Sequence, residues 1–265
     1  MVKLLIDKIK VSLDKRPNLL TQVQCFSQIA RSVGNKIPKE LIKEIFPILN
    51  DQAHGVAARG QSTDLENEIA EACLSAIENL IRKSPKEIDE HIENIFALGS
   101  HLMIFDPNYT YEEDKGGIDE GWGDDAGWGS DFEDEQMANE DDDDTSWKVR
   151  RAAIKLIEAL VSSRPDKLRA VYQQYSSLLI QRFKERDDNV KCNILETYRT
   201  FLKCAIHSEG VDSDNFSSGE ISIKRMKSAG DELAKLVDMT TDELVKQLRK
   251  SKNAKVKTAV MHTFA

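Results

Sequence analysis

The sequence is short of residues that interrupt helices. Its 265 residues hold six prolines and thirteen glycines, and six of those glycines are gathered between Gly116 and Gly129. The long stretches elsewhere carry almost no breaker, which disfavours a strand-rich fold built on tight turns. Long apolar runs are missing too. No run of eighteen apolar residues exists, so no helix of this sequence can span a bilayer. The opening residues, Met1-Val2-Lys3-Leu4-Leu5-Ile6-Asp7-Lys8, place charge where a secretory signal needs an apolar core, and no secretory targeting is read from them. The cysteines Cys25, Cys73, Cys192 and Cys204 form no CxxC pair. Cys25 and Cys73 fall on apolar helical faces, so reduced, buried, inert thiols are expected. Apart from Glu87 and His91, the five histidines share no i, i+4 spacing with an acidic residue, which leaves no zinc site visible. A Walker loop, G-x-S-x-G, H-E-x-x-H and any Cys–His pairing are all lacking. No catalytic, cofactor-binding or metal-ligating residue is assigned, and neither enzyme activity nor a cofactor is expected.

What is present is charge, unevenly placed. From Asp106 to Asp144 there are seventeen Asp or Glu against the single base Lys115, a local net of −16. The whole chain carries −9, so the remainder carries +7. An acidic insert sits in a mildly basic body.

The body repeats. Val149, Ala152, Ala153, Leu156, Ile157, Leu160 and Val161 form one apolar stripe, ahead of Arg164-Pro165. Ile69, Ala72, Cys73, Ala76, Ile77, Leu80 and Ile81 form the same stripe ahead of Ser84-Pro85. Cys25, Phe26, Ile29, Ala30 and Val33 fill it ahead of Ile37-Pro38, and Val190, Ile194, Leu195, Tyr198, Phe201, Leu202 and Ala205 fill it again. These i, i+3, i+4, i+7 patterns predict helices with one buried face. A second amphipathic helix is expected after each of Pro38, Pro85 and Pro165, the one after Pro85 with its stripe starting at Ile88, because proline suits the first helical turn and ends the helix before it. Val149 and Val190 are 41 residues apart. A helix pair recurring at about 40 residues matches the HEAT and armadillo class. A globular helical bundle is the alternative, and the recurring proline register argues against it. The expected fold is therefore all-α: a HEAT/armadillo-like helical-repeat solenoid, an α-α superhelix, with helix pairs over 1–104 and 147–265. Residues 105–146 are an acidic insert within a repeat. Met1 begins inside a helix without a cap and the chain stops within the Val256-Lys257 stripe, so a section of a longer solenoid is expected, its last pair truncated.

Dense like charge with few aliphatics predicts disorder from about Asp106 to Asp144, with regular helix from Trp147. Trp122 and Trp128, flanked by glycines and acids, are expected to be exposed, and Trp147 to anchor its helix on the preceding repeat. Thr145 or Ser146 is expected to cap that helix. No register of the insert supplies a calcium loop. The acids read either as a tethered anion mimic competing for a basic surface or as a solvated, silent loop. The bases Lys148, Arg150 and Lys155 beside the insert read as a positive stripe for an acidic protein partner. For Arg151, Lys191 and Lys257 a ladder between repeats is the preferred reading, with Asp187 or Asp188 facing Lys191. Nucleic acid and membrane are not expected partners.

Phe105-Asp106-Pro107-Asn108-Tyr109-Thr110-Tyr111, the acidic run, and then Ser146-Trp147-Lys148-Val149-Arg150-Arg151-Ala152-Ala153 resemble the cullin-associated and neddylation-dissociated proteins. Arg182-Phe183-Lys184-Glu185-Arg186 and the following Asn189-Val190-Lys191 continue the likeness. The resemblance implies a section from the N-terminal half of a longer HEAT solenoid, one that binds a cullin–RING scaffold lacking its ubiquitin-like modifier. It implies contact with the cullin C-terminal region and RING subunit, an effect on ligase assembly and substrate-receptor exchange, and a cytoplasmic or nuclear location. The alternative is an importin-β-type transport receptor with an acidic cargo-release loop.

Overall fold

Each apolar stripe becomes one helix in a two-layered stack. The computed structural model describes residues 1–59, 62–107, 144–209 and 233–264, and no strand is found among the described residues. The helices are α1 (Val2–Val11), α2 (Arg16–Val33), α3 (Lys39–Arg59), α4 (Asp64–Lys83), α5 (Ile92–Leu102), α6 (Ser146–Ser163), α7 (Leu168–Gln181), α8 (Asp188–Glu209), α9 (Val237–Lys250) and α10 (Ala254–Phe264). Helices α2, α4, α6, α8 and α10 stack in order in one layer, and α1, α3, α5, α7 and α9 in the other. One continuous core runs between the layers, from Ile6 and Phe26 to Val256 and Val260. This is the all-α repeat solenoid that the periodicity predicts.

The phase of the pairing differs from the sequence reading. Helix α1 packs on α2, α3 on α4, α5 on α6 and α9 on α10, while α7 touches both α6 and α8. Prolines 38 and 85 thus mark passages between packed pairs. Nor does a helix start directly at each proline. After Pro85 the chain makes a turn and a 3-10 segment, Asp89–His91, before α5 begins at Ile92. Ile88, read as the start of that helix, is buried from the turn instead. Pro165 opens a 3-10 turn that leads into α7. Thr63 supplies a capping box for α4: its hydroxyl accepts from the Glu66 amide, and Glu66 accepts from the Thr63 amide.

Polar side chains tie neighbouring repeats at matching places. In the layer of odd-numbered helices, Lys3 and Lys10 reach Glu44, Lys39 and Lys43 reach Glu90, and Arg164 and Lys167 reach Asp89. Tyr175 donates to the Phe96 carbonyl at 2.8 Å, across α7 and α5. Gly99 makes room for it, since a Cβ there would lie 2.7 Å from the Tyr175 hydroxyl. The histidines, unconnected by sequence spacing, include one tertiary pair: His54 Nε2 and His101 Nδ1 are 3.0 Å apart.

Two side chains sit differently from their predicted places. Cys25 is exposed, because α2 turns Leu19, Val23, Phe26 and Ala30 inward and Cys25 lies one residue off that line. Cys73 is buried as expected, and desolvation pushes its thiol up to about 12. Trp147 packs against the core but stays half-buried. Trp147→Ala is therefore expected to cost about 2 kcal/mol, below the range for fully buried aromatics. Urea unfolding would check this, and a loss above about 4 kcal/mol would show the indole to be a full core residue. Trp122 and Trp128 lie outside the described residues.

Candidate protein-binding surface

The residues singled out by sequence meet where α5 ends and α6 begins. Asp144 caps α6, accepting from the Ser146 amide at 2.8 Å and the Ser146 hydroxyl at 2.9 Å. Thr145 does not cap; its hydroxyl donates to Asp64 and accepts from Asn67, joining α6 to α4.

Arg150 is not on the surface. Its side chain is 1% exposed and donates to the Phe105 carbonyl at 3.0 Å and to Ser146 Oγ at 2.8 Å. The guanidinium also lies 3.3 Å from the carboxylates of Asp106 and Glu185, each as buried as the arginine. Arg182 also engages Glu185. Arg186 takes Asp106 in a two-pronged contact, 3.0 Å on each side, and holds Asp144 as well. Three guanidinium groups thus meet three carboxylates, so this largely buried ionic cluster is neutral in sum, although Arg150 Nε and Nη2 make no hydrogen bond among the described residues. The sequence reading of Arg150 as part of a partner-facing stripe is corrected: its charge is used inside the fold.

Asp106 and Asp144, the expected ends of a disordered segment, are fixed by this cluster; residues 108–143, with Asn108 and Tyr109, lie outside the described residues. Burial pushes the Asp144 carboxyl upward, but the Ser146 hydrogen bonds and the charges of Arg186 and Arg150 outweigh it and hold the group below its ordinary value. A depressed carboxylate stabilises the fold fully above its unfolded pKa of about 3.9, and that contribution is lost as pH falls through the folded value. Asp144→Asn is therefore expected to flatten the acid limb of a melting-temperature curve below about pH 4. Parallel curves for the two proteins across that range would show that Asp144 titrates normally.

The other bases of α6 remain at the surface but are partly engaged. Lys148 lies 3.2 Å from Glu68 of α4. Lys155 is half-buried. Burial raises the Glu71 carboxyl, while Lys148, Arg151 and Lys155 act to lower it, so all three bases bear on that one acid. Arg151 donates to Asn193 of α8 at 3.2 Å, and Lys191 lies 3.9 Å from Asp188. The ladder reading fits Arg151, whereas the Lys191–Asp188 contact lies within α8 and Lys257 is exposed. Of the residues that carry the family resemblance, Phe105, Val149, Arg182 and Phe183 are buried, Pro107 is half-buried and Lys184 is exposed. Sequence reasoning missed the Arg186 clamp on Asp106 and Asp144, because its partners are 80 and 42 residues away. Among the described residues, no group of three His, Cys, Asp or Glu is placed to hold a metal ion, and no helix is long and apolar enough to cross a membrane.

No family model matches the chain. Curated proteins do. Over 223 residues it is 33% identical to "Cullin-associated NEDD8-dissociated protein 1" of Drosophila melanogaster, covering 82% of this chain and 16% of that one. It is 38% identical over 183 residues to "Cullin-associated NEDD8-dissociated protein 2" of Mus musculus, covering 69% of this chain and 14% of that one. A third relative, of Emericella nidulans, is named as the "C-terminal part" of such a protein, at 31% over 195 residues, 65% of this chain and 18% of that one. Among solved structures, a designed armadillo repeat protein covers 99% of this chain and 98% of its own, with a TM-score of 0.44 and 14% identity. The fold assignment rests on the helix ladder described above. The chain spans about a sixth of the length of the curated relatives it matches. Over that section, the sequence places it in the family of cullin-associated NEDD8-dissociated proteins, the one that the residues flanking the insert resemble.

Proposed function

We propose that this chain is a non-catalytic, protein-binding section of a cullin-associated factor. In this reading it contacts the C-terminal region and RING subunit of a cullin–RING scaffold that lacks its ubiquitin-like modifier, in the cytoplasm, the nucleus or both. It contributes there to regulating ligase assembly and substrate-receptor exchange. The observation that carries the reading is the 33% identity, over 82% of the chain, to a protein named as cullin-associated. A two-layered solenoid supports it, because stacked repeats offer an extended surface and little enclosed space. Helix pairs over 1–104 and 147–265 form the body, and residues 105–146 an insert within one repeat. The packing of α5 on α6 supports that division, since the insert joins two helices that touch. Placement in the N-terminal half of the longer relatives belongs to the same proposal. Lys148 and Lys155 are the partner-facing bases left once Arg150 is removed from the surface.

The test is a titration of the chain against a purified unmodified cullin–RING complex at low and high salt. Weak binding that salt weakens further is expected, because a section uses only part of a long contact surface and the encounter is steered by charge. Deleting residues 112–143 should leave binding in place; Asp144 must be kept, since it caps α6 and holds Arg186. No detectable binding by the folded chain at low salt would refute the reading. Binding instead to the GTP-loaded small GTPase of nuclear transport would put the importin-type alternative in its place.

A further inference from the structure

Two histidines meet across neighbouring repeats, on the outside of the odd-numbered layer. His54 lies on α3 and His101 on α5, and their facing nitrogens, Nε2 of His54 and Nδ1 of His101, are 3.0 Å apart. The rings stand nearly edge-on, with centroids 5.2 Å apart and planes at 70°. The backbone beneath them is fixed. Their chain neighbours Ala53 and Leu102 have no exposed surface. Ahead of α5, Lys43 meets Glu90 at 2.9 Å, and Phe46 stacks on His91 with centroids 4.1 Å apart. On the other side, Gln174 of α7 donates to Ser100 at 2.9 Å. Helices α1 and α7 flank α3 and α5 in the same layer, so the pair lies inside the stack.

Between two neutral imidazoles, this approach is a hydrogen bond with one proton between the facing nitrogens. The same approach suits a metal ion. Two imidazole nitrogens about 2.0–2.1 Å from one ion stand about 2.9 Å apart when bonded at a right angle, and about 3.4 Å apart at the tetrahedral angle. The 3.0 Å separation falls within that interval. Both lone pairs must then face the ion, so the proton between the rings moves to the remote nitrogen of its own ring. Among the described residues no hydrogen bond occupies His54 Nδ1 or His101 Nε2, so either position is open to it. Each ring keeps one proton and none is released.

We infer that His54 and His101 together bind a divalent transition-metal ion, with water completing its coordination. Imidazole selects ions such as nickel, copper and zinc over magnesium and calcium, which prefer oxygen. Among the described residues no Cys, Asp, Glu or further His joins the pair as a third ligand. Structural zinc is held by four protein ligands, so an ion held here by two is exchangeable. Bound, it replaces one hydrogen bond between α3 and α5 with two metal–nitrogen bonds and braces one repeat against the next. The inference stands apart from the protein-binding reading and requires no cullin.

The experiment titrates NiCl2 into the full 265-residue chain at about pH 8, where ordinary imidazole is neutral, and follows heat and melting temperature. The pair variants are His54→Gln and His101→Gln, at a half-buried and an exposed position. The control, His262→Gln, removes an exposed histidine of α10. Circular dichroism verifies that all are folded, and the acids of residues 106–144 are present in every protein, so any nickel they take is a shared background. Parent and control should bind nickel with the same affinity. Each pair variant should bind it about ten-fold more weakly or worse, because a lone imidazole lacks the linked second one. At about ten times its dissociation constant, nickel should raise the melting temperature of the parent by about 2–4 °C and leave the pair variants unmoved. Equal binding by all four proteins, or none by the parent, would overturn the inference and leave the contact a hydrogen bond. MgCl2 matching nickel in affinity would overturn it as well, since that preference marks oxygen ligands.

Discussion

Arg150→Ala should lower the unfolding free energy by about 3–5 kcal/mol, several times the effect of Lys148→Ala. The reason is the state in which each replacement leaves its partners. Without Arg150, the carboxylates of Asp106 and Glu185 remain buried and lose one of their guanidinium neighbours, while the Phe105 carbonyl and Ser146 Oγ lose a donor. A buried charge stripped of a partner costs far more than an exposed pair contributes. Lys148 and Glu68 are both accessible to water, so breaking that contact should cost less than about 1 kcal/mol. Urea denaturation of the two variants at neutral pH makes the comparison. A loss below about 1 kcal/mol for Arg150→Ala would show that its charge is not held in the core, and would return it to the partner-facing bases.

Arg150 also shows where sequence reading stops. Period alone located the helices, because Leu156, Ile157, Leu160 and Val161 mark the core side of α6 unambiguously. It did not locate the full width of that side. An interior helix of a stacked layer is covered by α4 and α8 on its flanks and by α5 and α7 from the other layer. The buried arc therefore extends beyond the apolar stripe, and Ser146, Arg150 and Ile154, spaced one turn apart, all lie within it with no exposed surface. Arg150 and Arg151 look equivalent in sequence, yet they are about 100° apart on the helix. One turns into the core, and the other reaches Asn193 across the layer. Cys25 is the reverse case: its neighbour Phe26 belongs to the core line and it does not. The acids of the cluster were legible only as members of an acidic run. Nothing local distinguishes Asp106 and Asp144 from the other fifteen acids of that run, because what sets them apart is Arg186, 80 and 42 residues downstream.

Phe183→Ala should cost about 3–5 kcal/mol and should be coupled to Arg150→Ala. Phe183 has no exposed surface and meets Tyr198 edge-on, with ring centroids 5.3 Å apart and planes at 88°. It sits in the 3-10 turn Arg182–Lys184, between α7 and α8. That turn and the residues directly after it supply three members of the ionic cluster: Arg182, Glu185 and Arg186. Phe183 is thus the apolar peg that sets the position of the charges. Glu185 must stay within reach of Arg150 while also accepting from the Asp187 amide at 3.2 Å, ahead of α8. Removing the ring leaves a cavity beneath the turn, and partial collapse into it displaces those charges. If so, part of the cost of Phe183→Ala is the weakening of the Arg150 contacts, and the two losses overlap when both residues are replaced. The double variant should be less destabilised than the sum of the single ones by about 0.5–3 kcal/mol. Urea unfolding of the parent, both single variants and the double variant measures that difference. Additivity within about 0.5 kcal/mol would mean that peg and cluster are independent, and that the turn is held by its backbone rather than by the ring.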